Sequence, residues 1–162
     1  MIEKSSLMKK NLFAVQYDEK IGDKTIRQLD EEAGVLKNGV YQKNPTAQLL
    51  KKLINLDGKI KDKNMNGKFM YVIDINGDII IGTRAGGHQP HPTLIGGENV
   101  LVRGAGIIDI RGGKIYKIDN ASGHFRPSRS SLNNAKQAFE SLDSRVFHKN
   151  FQDYEDFTGK PY

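Results

Sequence analysis

At Lys68 the spacing of apolar residues changes from helical to extended, and this switch narrows the fold more than any other feature. Phe69-Met70-Tyr71-Val72-Ile73 and Asp78-Ile79-Ile80-Ile81-Gly82 flank Asn76-Gly77, a pair suited to a type I′ turn because both residues tolerate positive φ. Runs so nearly continuous in apolar residues predict strands covered on both faces. Residues 99–111 read as a long extended run broken by Gly104 and Gly106, which suit bulges or a bend. Gly112-Gly113 then turns the chain into residues 114–119. The expectation is an antiparallel meander of four or five strands.

Helical periods lie on both sides of that sheet. Residues 23–33 read as a short helix, with Ile26, Leu29 and Ala33 on one face and Gly34 as a stop. A longer helix is expected from Asn44 as N-cap and Pro45 at the first position, with Leu49, Leu50, Leu53, Ile54 and Leu56 as its stripe. After Pro127 a closing helix is expected, capped by Ser128 or Ser130 and burying Leu132, Ala135, Ala138, Phe139 and Leu142. Leu12-Phe13-Ala14-Val15 fits a short strand or docking segment, and residues 59–67 an exposed connection. Phe151, Tyr154, Phe157 and Tyr162 mark the tail as a strap across the core or a mobile end. The fold class is α+β in one domain: a helical part over 1–66, a β-rich core with its closing helix over 67–145, and a tail over 146–162.

Composition excludes several chemistries. With 162 residues and no cysteine, there are no disulfides, zinc–thiolate sites or cysteine nucleophiles. No apolar run approaches the roughly 18 residues that span a bilayer, so no membrane insertion is expected. Residues 1–10 lack the apolar segment of a secretory signal. The net charge of +6 favours an anionic partner. Between Arg84 and Arg129 seven basic residues face three acids, most of the basic ones Arg, whose fork suits phosphate or carboxylate. A solvated, solubilising surface is the plainer account of the same charge.

Polar chemistry concentrates in two loops. The loop from Arg84 to Gly97 is longer than a usual hairpin connection and holds His88, His91, Thr93, Gly96 and Gly97. His88 and His91 have an i, i+3 spacing, but Pro90 and Pro92 forbid a helix and no third ligand of matching spacing is evident, so no metal is expected. The functional reading places His91 and Thr93 at a pocket that Gly96-Gly97 opens to a ligand; the plainer one is a rigid proline-rich connector. Ser122-Gly123-His124-Phe125-Arg126 forms the second loop. A histidine moves protons near neutral pH and an adjacent Arg steadies phosphate charge. The plainer alternative is a strand-to-helix turn in which His124 caps backbone groups. A Ser–His hydrolase lacks a nearby acid and a Gly-x-Ser-x-Gly elbow, Asp74-Ile75-Asn76-Gly77-Asp78 lacks the Glu of a calcium loop, and His148 fits a surface position.

The order of hairpin, His91-Pro92-Thr93-Leu94-Ile95-Gly96-Gly97, Ala105-Gly106, Asn120-Ala121-Ser122-Gly123-His124-Phe125-Arg126-Pro127 and helix resembles the C-terminal toxin domains of bacterial polymorphic toxins. It is also similar to the central domain of plant IQ-motif, calmodulin-associated proteins. Ile107 stands where such toxin domains carry Glu after Ala-Gly, and Phe125 where they carry Tyr. The resemblance implies a toxin or effector, secreted or delivered to act in a target cell's cytoplasm, with a cognate immunity protein as partner. Three activities are then open. A metal-independent ribonuclease, needing no cofactor, would use His91 and His124 as proton carriers and Arg126 or Arg84 on the phosphate of an RNA or nucleotide substrate. Arg84, His88, Thr93, Gly96, Gly97, Ser122 and Phe125 would bind substrate; no DNA-specific motif is present. An NAD-using ADP-ribosyltransferase would place NAD on His91-Pro92-Thr93 and Arg126. A non-enzymatic module would bind an acidic partner through the Arg-rich strands.

Overall fold

The computed structural model describes residues 21–60, 66–84, 88–98 and 100–160. Leu12-Phe13-Ala14-Val15, Gly86-Gly87 and Tyr162 lie outside them. The chain is α+β: α1 (Ile21–Glu32), β1 (Leu36–Lys37), β2 (Val40–Tyr41), β3 (Gln48–Leu49), the single turn α2 (Leu50–Leu53), β4 (Gly67–Ile73), β5 (Ile79–Gly82), β6 (Gly104–Arg111), β7 (Lys114–Asp119), α3 (Ser131–Glu140) and β8 (Tyr154–Glu155). The large sheet has the order β3-β5-β4-β6-β7-β8. Its centre is the expected antiparallel meander; β8 adds to β7 in parallel, so the tail is a strap that joins the sheet. Among the described residues, no helix is long and apolar enough to cross a membrane.

Why the middle strands read as unbroken apolar runs is visible in the packing. Phe69, Tyr71 and Ile73 of β4 enter one core with Ile81, Ile108, Ile115, Ala135 and Phe139, beneath α3. Met70 and Val72 alternate into a second core with Leu36, Tyr41, Leu94, Val102 and Phe125. Each face of the sheet therefore has its own apolar cover.

Two turns exchange roles relative to the sequence reading. The type I′ conformation falls on Gly112 (φ 60) and Gly113 (φ 76), which join Arg111 directly to Lys114. At Asn76-Gly77 only Gly77 has positive φ, and five residues separate the paired Ile73 and Ile79. The Asp74 carboxylate accepts from the Asn76 and Asp78 amides and stabilises that longer loop, a structural use of the acid. Gly104 and Gly106 do not bulge, since β6 pairs with β4 in unbroken register; the irregularity lies opposite, at Tyr116.

The long helix expected after Asn44 is replaced by a short strand and one helical turn. Asn44 does cap a turn, accepting from the Thr46 amide and hydroxyl, but its side-chain amide donates to the Thr83 carbonyl at 2.7 Å. That tether lays Gln48 and Leu49 beside Ile81 and Ile80 as an edge strand. Leu50 is then fully buried, while Leu56, on the expected stripe, is 96% exposed. Residues 21–60 are thus a mixture of helix and short strands, where a helical part was expected. In α1 the inward face also differs: Asp30 is buried and Leu29 half-exposed, so the inward stripe runs through Ile26 and Asp30, four residues apart.

Candidate functional site

The turn that carries Ser122 and His124 is shaped by the end of β7. Asp119 Oδ1 accepts from the Ala121 and Ile107 amides, each at 2.9 Å, and the Tyr71 hydroxyl donates to the Asp119 carbonyl at 2.7 Å. The Ser122 hydroxyl then accepts from the Phe125 amide and the Ser122 carbonyl from the Arg126 amide, which closes a tight turn. Arg126 takes φ 43 to leave it, stands exposed, and donates through Nε to the Gly123 carbonyl. Phe125 is buried in the second core and so anchors the turn. Ser122 is buried as well, its oxygen engaged by backbone.

The other loop is stapled from below. Tyr41 and Gly97 exchange two backbone hydrogen bonds, Asn44 donates to the Thr93 carbonyl, and Lys43 Nζ donates to the Leu94 carbonyl at 2.9 Å. Gly96 and Gly97 therefore serve chain pairing, where the sequence reading had them admit a ligand. Thr93 is fully buried and donates to the Pro90 carbonyl at 2.7 Å, so it does not face the pocket. Despite Pro90 and Pro92, residues His91–Leu94 form one 3-10 turn, because prolines at its start lose no hydrogen bond.

This turn presents His91 to the floor of the site. Its Nε2 lies 2.8 Å from the Gly106 carbonyl, which can only accept, so Nε2 carries the proton and Nδ1 is the acceptor. Burial pushes the His91 pKa down to about 4, against the opposing pull of the Gly106 carbonyl, with the charges of His124 and Arg84 adding to the fall. Only glycine fits at position 106, for a different reason: a Cβ there would stand 1.9 Å from the Asp119 carbonyl oxygen.

His91 and His124 share the wall of one cavity of about 370 Å³, together with Arg84, Ser122, Ile107 and Phe157. Beneath His124 lies a group that loop chemistry did not signal. The Asp30 carboxylate, fully buried, receives His124 Nε2 at 2.9 Å, His88 Nε2 at 2.6 Å and the Tyr41 hydroxyl at 2.6 Å. Burial raises the pKa of this carboxyl, but the bonds and charge of His124 and the bonds from Tyr41 and His88 outweigh it, and the net shift is downward. Tyr41 is pushed up by burial and by the carboxylate beside it, so it stays a donor. The histidine that pairs with His124 is thus His88, their ring centres 6.4 Å apart, and the i, i+3 partner of the sequence reading, His91, stands apart on its carbonyl. The only sequence signal for Asp30 was its place four residues after Ile26.

The Arg-rich strands carry less free charge than the local count suggested. Arg111 pairs with Asp109 at 3.1 Å and stacks on Tyr116, Lys117 pairs with Glu155 at 2.8 Å, and Arg129 pairs with Asp156 at 2.6 Å. Glu155 and Asp156 come from the tail, outside the counted stretch. Glu98, the acid nearest in sequence to the loop glycines, is exposed, and among the described residues no Asp or Glu lines this cavity.

Comparison with known families finds that residues 46–132, just over half of the chain, match the IQ motif-containing protein middle domain. The chain belongs to this family. The likeness drawn to the central domain of plant IQ-motif proteins is the one this match carries; the likeness to toxin domains gains no support from it. No curated protein and no solved structure matches. The matched stretch of this middle domain contains His88, His91 and His124, whereas Asp30 and Tyr41 come from the residues before it.

Proposed function

We propose that this domain cleaves RNA by proton transfer, without a metal, in the cavity lined by His124 and His91. The observation that carries the reading is the placement of His124 between a buried carboxylate and a cavity that also holds Arg84 and Ser122. A carboxylate on one ring nitrogen fixes the orientation of the ring that transfers the proton. In the reaction His124 takes the proton of a 2′-hydroxyl, the 2′-oxygen bonds to phosphorus, and the bond from phosphorus to the 5′-oxygen breaks. The departing oxygen receives a proton from His88, the second imidazole on Asp30. Arg84, in the wall, and Arg126, which bonds the carbonyl of the wall residue Gly123, offset the phosphate charge. His91, neutral by burial, contributes a hydrogen-bond acceptor; as an acid it would be unprotonated at neutral pH.

The setting implied by the toxin likeness, with delivery into a target cell and a cognate immunity protein, belongs to this proposal. The test incubates the protein with labelled RNA in excess chelator. Cleavage to a 2′,3′-cyclic end, reduced about 100-fold or more by His124→Ala and by Asp30→Asn, is the expected result. Nicotinamide release from labelled NAD instead would establish ADP-ribosyl transfer, and RNA binding without turnover a recognition module. Cleavage that survives both substitutions sinks the proton-transfer reading.

A further inference from the structure

We propose that Asp30, His88 and His124 form a binding site for a divalent first-row transition ion, with zinc as its type. Three ligand atoms, one from each residue, lie within 4.8 Å of one another. The carboxylate is fully buried, and its hydrogen-bond partners are two imidazoles and a phenol, none a permanent cation. A buried carboxylate is stabilised by a positive partner, and an ion between the three ligands supplies one without protonating either ring. Zinc bonds imidazole nitrogen and carboxylate oxygen at roughly 2.0–2.2 Å, which places neighbouring ligands about 3.3 Å apart in a tetrahedron. The present separations of 2.6 and 2.9 Å would widen to that spacing when an ion enters.

The surroundings fit the same use. The Tyr41 hydroxyl donates to Oδ2 at 2.6 Å and fixes the carboxylate from behind, as groups behind metal ligands do. The His88 side chain is 38% exposed, which gives the ion a path from solvent and leaves a coordination position for water. Two imidazoles and one carboxylate suit zinc, cobalt or ferrous iron better than magnesium or calcium, which prefer oxygen. Sequence spacing hid the set because its members lie at positions 30, 88 and 124 in three separate elements. Occupancy would engage the ring nitrogens that Asp30 now holds and withdraw both rings from proton transfer; this consequence rests on the RNA-cleaving reading.

The experiment titrates the chelator-treated full chain with zinc chloride by calorimetry and with cobalt chloride by visible absorption. One equivalent of each is expected to bind, with absorption bands of four- or five-coordinate cobalt. His88→Ala, whose side chain is part exposed, and Asp30→Asn should each weaken binding more than 100-fold, Tyr41→Phe by roughly 10–100-fold, and His148→Ala not at all. Absence of saturable binding in the wild-type chain, or binding unchanged by His88→Ala, overturns the site. Because the readout is binding, failure of RNA cleavage leaves the site standing. Where cleavage occurs, it should fall along the cobalt titration and return with chelator. Cleavage that rises with occupancy overturns the metal-independent mechanism and keeps the site.

Discussion

At the scale of single residues, the site separates into groups that chemistry makes conspicuous and groups that only packing reveals. His91, His124, Ser122 and Arg84 could be named from the sequence because they cluster in polar loops between apolar strands, and they do share one cavity. Asp30 could not, because an acid in an amphipathic helix ordinarily belongs to its wet face. Tyr41 was equally silent, since a buried phenol is indistinguishable in sequence from an aromatic core residue. The neutral state of His91 has a measurable consequence. Its folded pKa, about 4, lies below the ordinary 6.5, so between those values the unfolded chain binds a proton that the folded chain refuses. Stability is therefore lost as pH falls from about 6.5 to about 4, by at most about 3 kcal/mol from this group. The groups it faces, His124 and Arg84, are common to both forms of the test. His91→Gln, which retains an N–H for the Gly106 carbonyl, should flatten the pH dependence of urea unfolding in that window. An unchanged slope would show that His91 is protonated in the folded protein. Tyr41→Phe removes a donor to a buried carboxylate and should cost about 1.5–3 kcal/mol in the same assay.

At the scale of elements, the central meander was legible and the edge was not. Strands β4 to β7 declare themselves through apolar runs and turn glycines, signals that are local. The segment after Asn44 carried an equally good helical stripe, yet Asn44 and Thr46 bond to Thr83 and draw Gln48-Leu49 onto β5. A free backbone edge offers partners that a lone stripe cannot announce, and tertiary pairing overrides propensity there. Two glycines show how differently the same residue type is used. Gly106→Ala would force β6 away from the Asp119 carbonyl and should cost about 3 kcal/mol. Gly77→Ala meets nothing within 4 Å, but its φ of 87 should cost about 1–2 kcal/mol. Thermal unfolding of the two variants ranks the effects, and a Gly106→Ala protein as stable as Gly77→Ala would contradict the close approach. On the opposite face, Phe139 is fully buried and meets Tyr71 edge-on at 5.2 Å. Phe139→Ala should destabilise by about 3–5 kcal/mol while leaving the site's own contacts in place.

At the scale of the whole molecule, the sheet keeps stability and chemistry on opposite faces. The core under α3 contains mostly aliphatic residues and no member of the site, whereas the second core includes Tyr41, Leu94 and Phe125, which hold the two site loops. Helix α1 lies at the edge of this second core, and its buried link is polar: Asp30 to Tyr41, His88 and His124. Where this polar cluster parts, α1 should open without the sheet unfolding. In hydrogen exchange followed by mass spectrometry, peptides from α1 should therefore exchange faster than those from β4 and β6. Asp30→Asn weakens the cluster by leaving two imidazoles without their carboxylate, so it should speed exchange in α1 by about tenfold or more while β4 and β6 keep their protection. Zinc added to the wild type should slow exchange in α1, since an ion on Asp30, His88 and His124 closes the same link. Equal acceleration across α1 and the central strands would mean that the helix and the sheet open as one unit, and that the site is part of the global fold rather than a cluster clasped onto it.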